Sequence, residues 1–182
     1  MKHIVLTLLL ILSSCKSEPK TETVGDKEID PTVHAMWHSF TESYLEFKKE
    51  ELPDSWYFHN TKEDADRLAT LTLNGKKTAM TSGLHTWYKE ANADLPTVGT
   101  KHIVTDFEGK ARAIIKITAV DTIPFNKLSK EGAAMDMGSN VEPLKKWKKA
   151  HWDFFSSVMA EKGERPTEDM VIVFEKFERI WP

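Results

Sequence analysis

The chain of 182 residues has a single cysteine, Cys15. No internal disulfide can form, so packing and hydrogen bonds alone must hold the fold. It also lacks an apolar run of the ~20 residues that a bilayer-spanning helix needs; Ile4 to Leu12 is too short. Excess positive charge is missing as well. The formal net charge is -3, which disfavours a broad nucleic-acid-binding surface and leaves room only for a local basic groove. No internal repeat and no low-complexity domain is present. His34 and His38 stand at a helical spacing that can hold a metal. The residues between them lack the glutamate of a zincin, and no third ligand lies nearby, so they read as surface or boundary histidines. No metal and no cofactor is expected.

The first residues have a defined order. Met1-Lys2-His3 is short and basic, Ile4 to Leu12 is apolar, and Leu12-Ser13-Ser14-Cys15 follows directly. That is the order of a secretory signal, and Leu-Ser-Ser-Cys resembles a lipobox. The expectation is a signal peptide over 1–14, cleavage before Cys15, and lipid on Cys15 holding the chain to a membrane surface at the bacterial cell envelope. Lipid chains contribute about 0.8 kcal/mol per buried methylene. Residues 15–29 are polar and charged and read as a tether. Residues 30–182 suit one domain, and 40% hydrophobic residues with six Trp supply its core.

Asp30-Pro31 reads as a helix cap followed by a first-turn proline, and Val33, Met36, Trp37, Phe40, Tyr44 and Phe47 form its apolar stripe. A second helix starts at Thr61, presents Ala65, Leu68, Leu71 and Leu73, and stops at Asn74-Gly75. Lys101–Phe107 and Ala111–Val120 are β-branched and flank a turn at Glu108-Gly109, which makes a hairpin. Phe125–Met137 is expected to be helical, as is Val141–Lys162, with Leu144, Trp147, His151, Phe154, Phe155 and Val158 on its inner side. Val171–Trp181 is a terminal strand. Together these give an α+β fold with a small, strongly bent sheet or barrel.

Lys145, Lys146, Lys148 and Lys149 interleave with Leu144 and Trp147, as on the wet side of an amphipathic helix. His151 reads as a core histidine bonded to backbone. Gly75 to Ser82 packs two lysines and three hydroxyls into a loop-to-strand junction. It lacks the first glycine and preceding strand of a P-loop, but its composition fits an anion site. A lysine in a partly dry cleft there can act as a base or bind a carbonyl oxygen, given a nearby carboxylate. Asp136 and Asp106 are the candidates.

Gly-Lys-Lys-Thr-Ala at 75–79 resembles the signature of ASCH domains, which are PUA-like. Further pieces match one bacterial branch in order: Ser55-Trp56-Tyr57-Phe58, Ala65-Asp66-Arg67-Leu68-Ala69, Trp87-Tyr88, Leu95-Pro96-Thr97-Val98-Gly99, Ile103 to Gly109, Ala133-Ala134, His151 to Phe155 and Glu168-Asp169-Met170. The resemblance implies a small PUA-like β-barrel wrapped by helices, with the Gly-Lys-Lys-Thr segment lining a cleft. It associates the chain with RNA or modified nucleosides. One small family member is an amidohydrolase that removes the acetyl group of N4-acetylcytidine, through a lysine, a threonine three residues later and a glutamate after the barrel hairpin; another is described as a ribonuclease.

Carried over, the lysine is Lys77, as base or nucleophile activator, and the glutamate falls on Asp136, one methylene shorter. The threonine position is Met80. Thr81 is next door, though a one-residue shift on a strand turns the side chain to the other face. The resemblance therefore gives Lys77, Thr81 and Asp136 as catalytic candidates and Trp56, Phe58, Lys76, Thr78 and Trp87 as ligand-binding ones. With the lipid expected on Cys15, the reading is a membrane-anchored domain that binds a nucleoside-like small molecule or a single-stranded RNA fragment, and no DNA. The alternatives are an amidohydrolase acting on N-acylated nucleosides or similar amides, and a non-catalytic envelope interaction module.

Overall fold

A computed structural model describes residues 29–182; the leader, Cys15 and nearly all of the tether lie outside them. The first helix, α1, runs Pro31–Ser43, and the Asp30 carboxylate accepts from the Thr32 N–H at its start. It buries Val33, Trp37 and Phe40, while Tyr44 stays exposed. A two-residue strand β1 (Ser55–Trp56) follows, then α2 (Lys62–Leu73), capped by Thr61 Oγ1. Strand β2 is Ala79–Leu84, α3 is the short His85–Glu90, β3 is Lys101–Thr105 and β4 is Ala111–Pro124. Helix α4 (Lys130–Met137), helix α5 (Pro143–Ala160) and strand β5 (Val171–Trp181) complete the order.

The five strands form one sheet in the order β1-β3-β4-β5-β2. The β1–β3 pair is parallel and the other pairs are antiparallel. Long strands β4 and β5 make its spine. Register shifts at Ile114/Ile115 and Ile117/Ala119 of β4, and at Thr81/Gly83 of β2, increase its coil. The coil is tight enough that Trp56, from one edge, and Met80, from the other, pack on the same apolar cluster of Phe58, Val104, Ile115, Ile117 and Phe177. The expected small, bent PUA-like architecture of the α+β class follows from that curl.

α1 covers Ile103 and Ile114 on one side. On the other, α4 and α5 cover Ala79, Leu84, Ile172 and Phe174 with Ala133, Trp147 and Phe155. The continuous helix expected over Phe125–Met137 is broken. Phe125–Lys127 is one 3-10 turn, Leu128 is extended and buried, and Ser129 caps α4 with its Oγ accepting from the Gly132 N–H. Serine at that point satisfies a free helix-end donor, which favours a fresh start. On α5 Phe154, expected inside, is 42% exposed. His34 and His38 are exposed, and His38 pairs with Glu42. Among the described residues no helix is long and apolar enough to cross a membrane.

Candidate functional site

The chain between α2 and β2 turns sharply. Gly75 takes φ +66, and the N–H groups of Lys76 and Lys77 both donate to the Leu71 carbonyl. Thr78 then donates to the Met135 carbonyl and accepts from the Phe177 N–H, which fixes the segment between α4 and β5. Side chains alternate along this extended stretch. Lys77 enters the interior, whereas Lys76 and Thr78 face a different cavity of about 830 Å3, lined also by Lys130, Glu131 and Asn140. Helix α4 separates the two spaces. The candidate ligand residues thus divide, and Lys76 and Thr78 do not join the Lys77 cleft.

Lys77 is 3% exposed, and each of its three ammonium hydrogens has an acceptor. Nζ donates to the Ala79 carbonyl at 2.9 Å, the Asp136 carbonyl at 2.7 Å and Asp136 Oδ1 at 2.5 Å. The Asp136 carbonyl lies at the C-terminal end of α4, where carbonyls lack helical partners and the helix dipole is negative. A cation therefore suits both the carboxylate and the backbone there. The Phe58 ring adds its face, 4.7 Å from Nζ. Gly138, at φ +60, ends α4 two residues beyond Asp136 and donates to the Ala134 carbonyl, so the helix stops in the left-handed cap that glycine takes freely.

Asp136 is the hub. Its Oδ2 accepts from Thr81 Oγ1 and from Trp147 Nε1, both at 2.9 Å. His151 Nε2 lies 3.5 Å from the same oxygen. Burial acts to raise the Asp136 carboxyl, but the Lys77 and His151 charges and the bonds from Lys77 and Trp147 outweigh it and hold the group below its ordinary value. His151 is lowered, chiefly by burial, against the pull of Asp136. Its Nδ1 is 3.0 Å from the Trp147 carbonyl, and a carbonyl only accepts, so Nδ1 carries a proton. The backbone bond expected of His151 is present; its place beside Asp136 was not foreseen.

Thr81, the candidate one residue beyond the family's threonine position, does reach Asp136. Met80 and Thr81 do face opposite ways, and Met80 packs with Phe58 and Phe177. It is Thr81 that shares Ala79's side of β2, the side that α4 covers. Asp106, the other carboxylate considered, lies in the β3–β4 turn and accepts from the Glu108 and Lys110 N–H groups.

These groups floor a cleft of about 210 Å3. Phe58 and Phe154 stand in its wall, and His59, Asp64, Arg67 and Leu68 complete its rim. Of the candidate stacking residues, Phe58 lines this cleft, Trp56 lines a neighbouring one, and Trp87 lines neither. Trp87 instead packs edge-on against Phe155 and backs Phe154. Trp147, His151, Phe154 and Arg67 are the additions that sequence reasoning missed as site residues. The i, i+4 pair Trp147/His151 on a helix with an apolar stripe was the visible signal for those two; Arg67 and Phe154 had none. Among the described residues no group of three or more His, Cys, Asp or Glu is placed to hold a metal.

The family model of the ASCH domain matches residues 54–181. The crystal structure of an ASCH domain from Lactobacillus crispatus JV V101 superposes with a TM-score of 0.77 at 30% identity, covering 86% of this chain and 99% of that one. A protein of Enterococcus faecalis V583 superposes at 0.73, also with 30% identity, covering 82% and 88%. No curated protein matches the chain.

Proposed function

The chain belongs to the ASCH domain family, and from that premise we propose that its Lys77–Asp136 cleft binds a nucleoside-like small molecule or the end of a single-stranded RNA. One observation carries the reading: a buried ion pair with all its donors and acceptors engaged floors a small cleft that Phe58 and the exposed Phe154 wall. A satisfied polar floor is preorganised, so a ligand meets fixed dipoles instead of ordering them. Phe154, exposed at the mouth, offers a face to a flat ring, which is worth about 1–3 kcal/mol per stacked base, while Phe58 lines the wall with its own face on Lys77. Thr81, His59 and Arg67 supply polar contacts at its edge.

The test is thermal denaturation of the full chain with cytidine, N4-acetylcytidine, uridine, adenosine and guanosine at millimolar concentration. At least one should raise the melting temperature, by the equivalent of about 2.7 kcal/mol at a hundredfold excess over Kd. Phe154→Ala should remove the rise, because that ring is 42% exposed and can go without emptying the core. If none of the five shifts the transition, the reading fails.

A second reading, hydrolysis of an N-acyl group on such a ligand, is favoured by the 2.9 Å bond from Thr81 Oγ1 to Asp136 Oδ2. That is the reach of a nucleophile and its base. Thr81 Oγ would bond to the acyl carbon as its proton passes to Asp136. The amine would leave with that proton, and water would release the acyl group from Thr81. Chromatography of N4-acetylcytidine incubated with the protein decides it: cytidine and acetate should form, and Thr81→Val should stop both. An unchanged substrate peak removes the hydrolase.

The order of residues 1–15 supports an address at the cell envelope, with lipid on Cys15. Metabolic labelling with palmitate should mark the chain and fail to mark Cys15→Ser. An unlabelled parent chain rules out the lipid.

A further inference from the structure

Beside the Lys77 cleft lies a second one, of about 510 Å3. The two share Phe58, His59, Met80 and Thr81, so one wall divides them. The second cleft is unusual in its polar floor. Glu175 is 1% exposed, yet among the described residues its Oε2 has no hydrogen-bond partner. His102 Nδ1, on the same lining, is also buried and without one. Buried polar atoms are satisfied in the great majority of cases, and an orphan at a cavity calls for a reason. Glu175 is held in place by the sheet, opposite Met80 on β2 and Val120 on β4. Burial pushes its carboxyl above the ordinary value, against a hydrogen bond from Ser82, as burial pushes His102 below its own.

Around these atoms stand Trp56, Tyr57, Phe58, Tyr88 and Pro96. The Tyr88 hydroxyl donates to Ser82 Oγ, so its ring edge is fixed. Flat apolar walls with a carboxyl and an imidazole on the floor fit a planar ring that carries an N–H donor, as a nucleobase does. At the shared rim, His59 sits at φ 64, a backbone conformation uncommon for a residue other than glycine. It belongs to both clefts.

We infer that the Glu175–His102 cleft is a second base subsite, so that the ligand is two consecutive residues of a single strand, one ring in each cleft and the connecting backbone passing His59. Glu175 Oε2 accepts from the N–H edge of the second base, and His102 Nδ1 bonds the same ring. This rests on the reading of the Lys77 cleft as a nucleoside site and assigns that site its substrate class.

Isothermal titration of the full chain with the four ribonucleosides and the dinucleoside monophosphates built from them tests it. At least one dinucleoside should bind about tenfold or more tighter than either component, within what one further stacked base contributes. Glu175→Gln and, separately, His102→Phe should each lower dinucleoside affinity by a larger factor than nucleoside affinity. The second variant guards against a folding defect in the first. Nucleoside binding with no dinucleoside gain overturns the subsite and leaves the Lys77 reading standing. So does a gain that both variants retain in full. Absence of all binding overturns both.

Discussion

Removing the Lys77 ammonium is the sharpest test of how the site is built. In Lys77→Met the volume is nearly kept, but the Asp136 carboxylate loses its cation while remaining 4% exposed. Breaking a buried pair from one side costs about 3–5 kcal/mol. For a domain of this size each kcal/mol moves the melting temperature by about 2–4 °C, which gives a drop of about 6–20 °C at pH 8. The size of the drop should depend on pH. Lys77 is the largest influence that opposes burial at Asp136, and its charge also helps to keep His151 neutral. Without it, burial raises Asp136 with less opposition and His151 loses one restraint on charging, so the pair should bind a proton more readily than in the parent, as a raised group does.

Stability from a raised group is present at low pH and lost as pH rises. In the parent the sign is opposite: lowered His151 contributes stability above its unfolded value of 6.5, and that contribution fades as pH falls. The gap between variant and parent should therefore be smaller at pH 6 than at pH 8. Urea unfolding at the two pH values measures it. Lys77→Met with Asp136→Asn removes both charges but keeps an acceptor for Thr81 and Trp147. It should be more stable than Lys77→Met alone. A Lys77→Met loss below about 1 kcal/mol at pH 8, against the ~3 expected for a dry pair, refutes the reasoning. An identical loss at pH 6 and pH 8 refutes the coupling to His151.

Gly138→Ala should destabilise by about 1 kcal/mol from its left-handed φ alone. It should do so further because the added carbon meets Leu71 Cδ1 at 3.1 Å and the Lys77 N at 3.4 Å; chemical denaturation measures the sum. Trp147→Phe keeps the packing on Phe125 but deletes the indole donor to Asp136, at a cost of about 1.5–3 kcal/mol for a hydrogen bond to a charged group. Glu175→Gln should stabilise the unliganded protein increasingly as pH rises above 4.5. A carboxyl raised in the fold gives full stability below its unfolded value and loses it as pH climbs, and glutamine has nothing to ionise. Thermal melts from pH 4 to pH 8 should show the variant and parent converge at the acid end.

The elements that announced themselves in sequence did so through local chemistry. Asp30-Pro31 and Thr61 cap their own helices, Glu108-Gly109 closes its own hairpin, and β5 occupies the predicted Val171–Trp181. Two residues of β1 have no such signature, because that strand exists only by pairing with β3. The break before α4 was written in Ser129 but overridden by the apolar spacing around it. At the site, the Lys77–Asp136 meeting was anticipated through family resemblance, whereas composition left Asp106 equally open. What no local pattern carries is the depth at which α5 packs, which brings Trp147 and His151 onto Asp136. That Thr81 and not Met80 meets Asp136 has a related cause: the alternation along β2 is local, but which of its sides lies under α4 is a tertiary fact.

The hydrogen-bond count decides which group can act on a ligand. Lys77 has no hydrogen left to give and no lone pair while it holds its charge, so it is poorly placed to serve as a base or to grip a carbonyl. Its effect is to keep Asp136 ionised. Asp136 in turn shares Oδ2 between Thr81 and Trp147. The unsettled contact is His151. With Nδ1 protonated, a neutral ring turns the Nε2 lone pair toward Asp136 Oδ2 at 3.5 Å, acceptor facing acceptor. Either a second proton or a ligand N–H or O–H relieves that. Since burial disfavours the proton, a ligand with a donor at this edge of the cleft gains most at high pH, where the proton is scarcest. Affinity for such a ligand should thus fall as pH drops through the titration of His151, and should lose that dependence in His151→Gln. A pH-independent affinity in the parent chain excludes His151 as the group that meets the ligand.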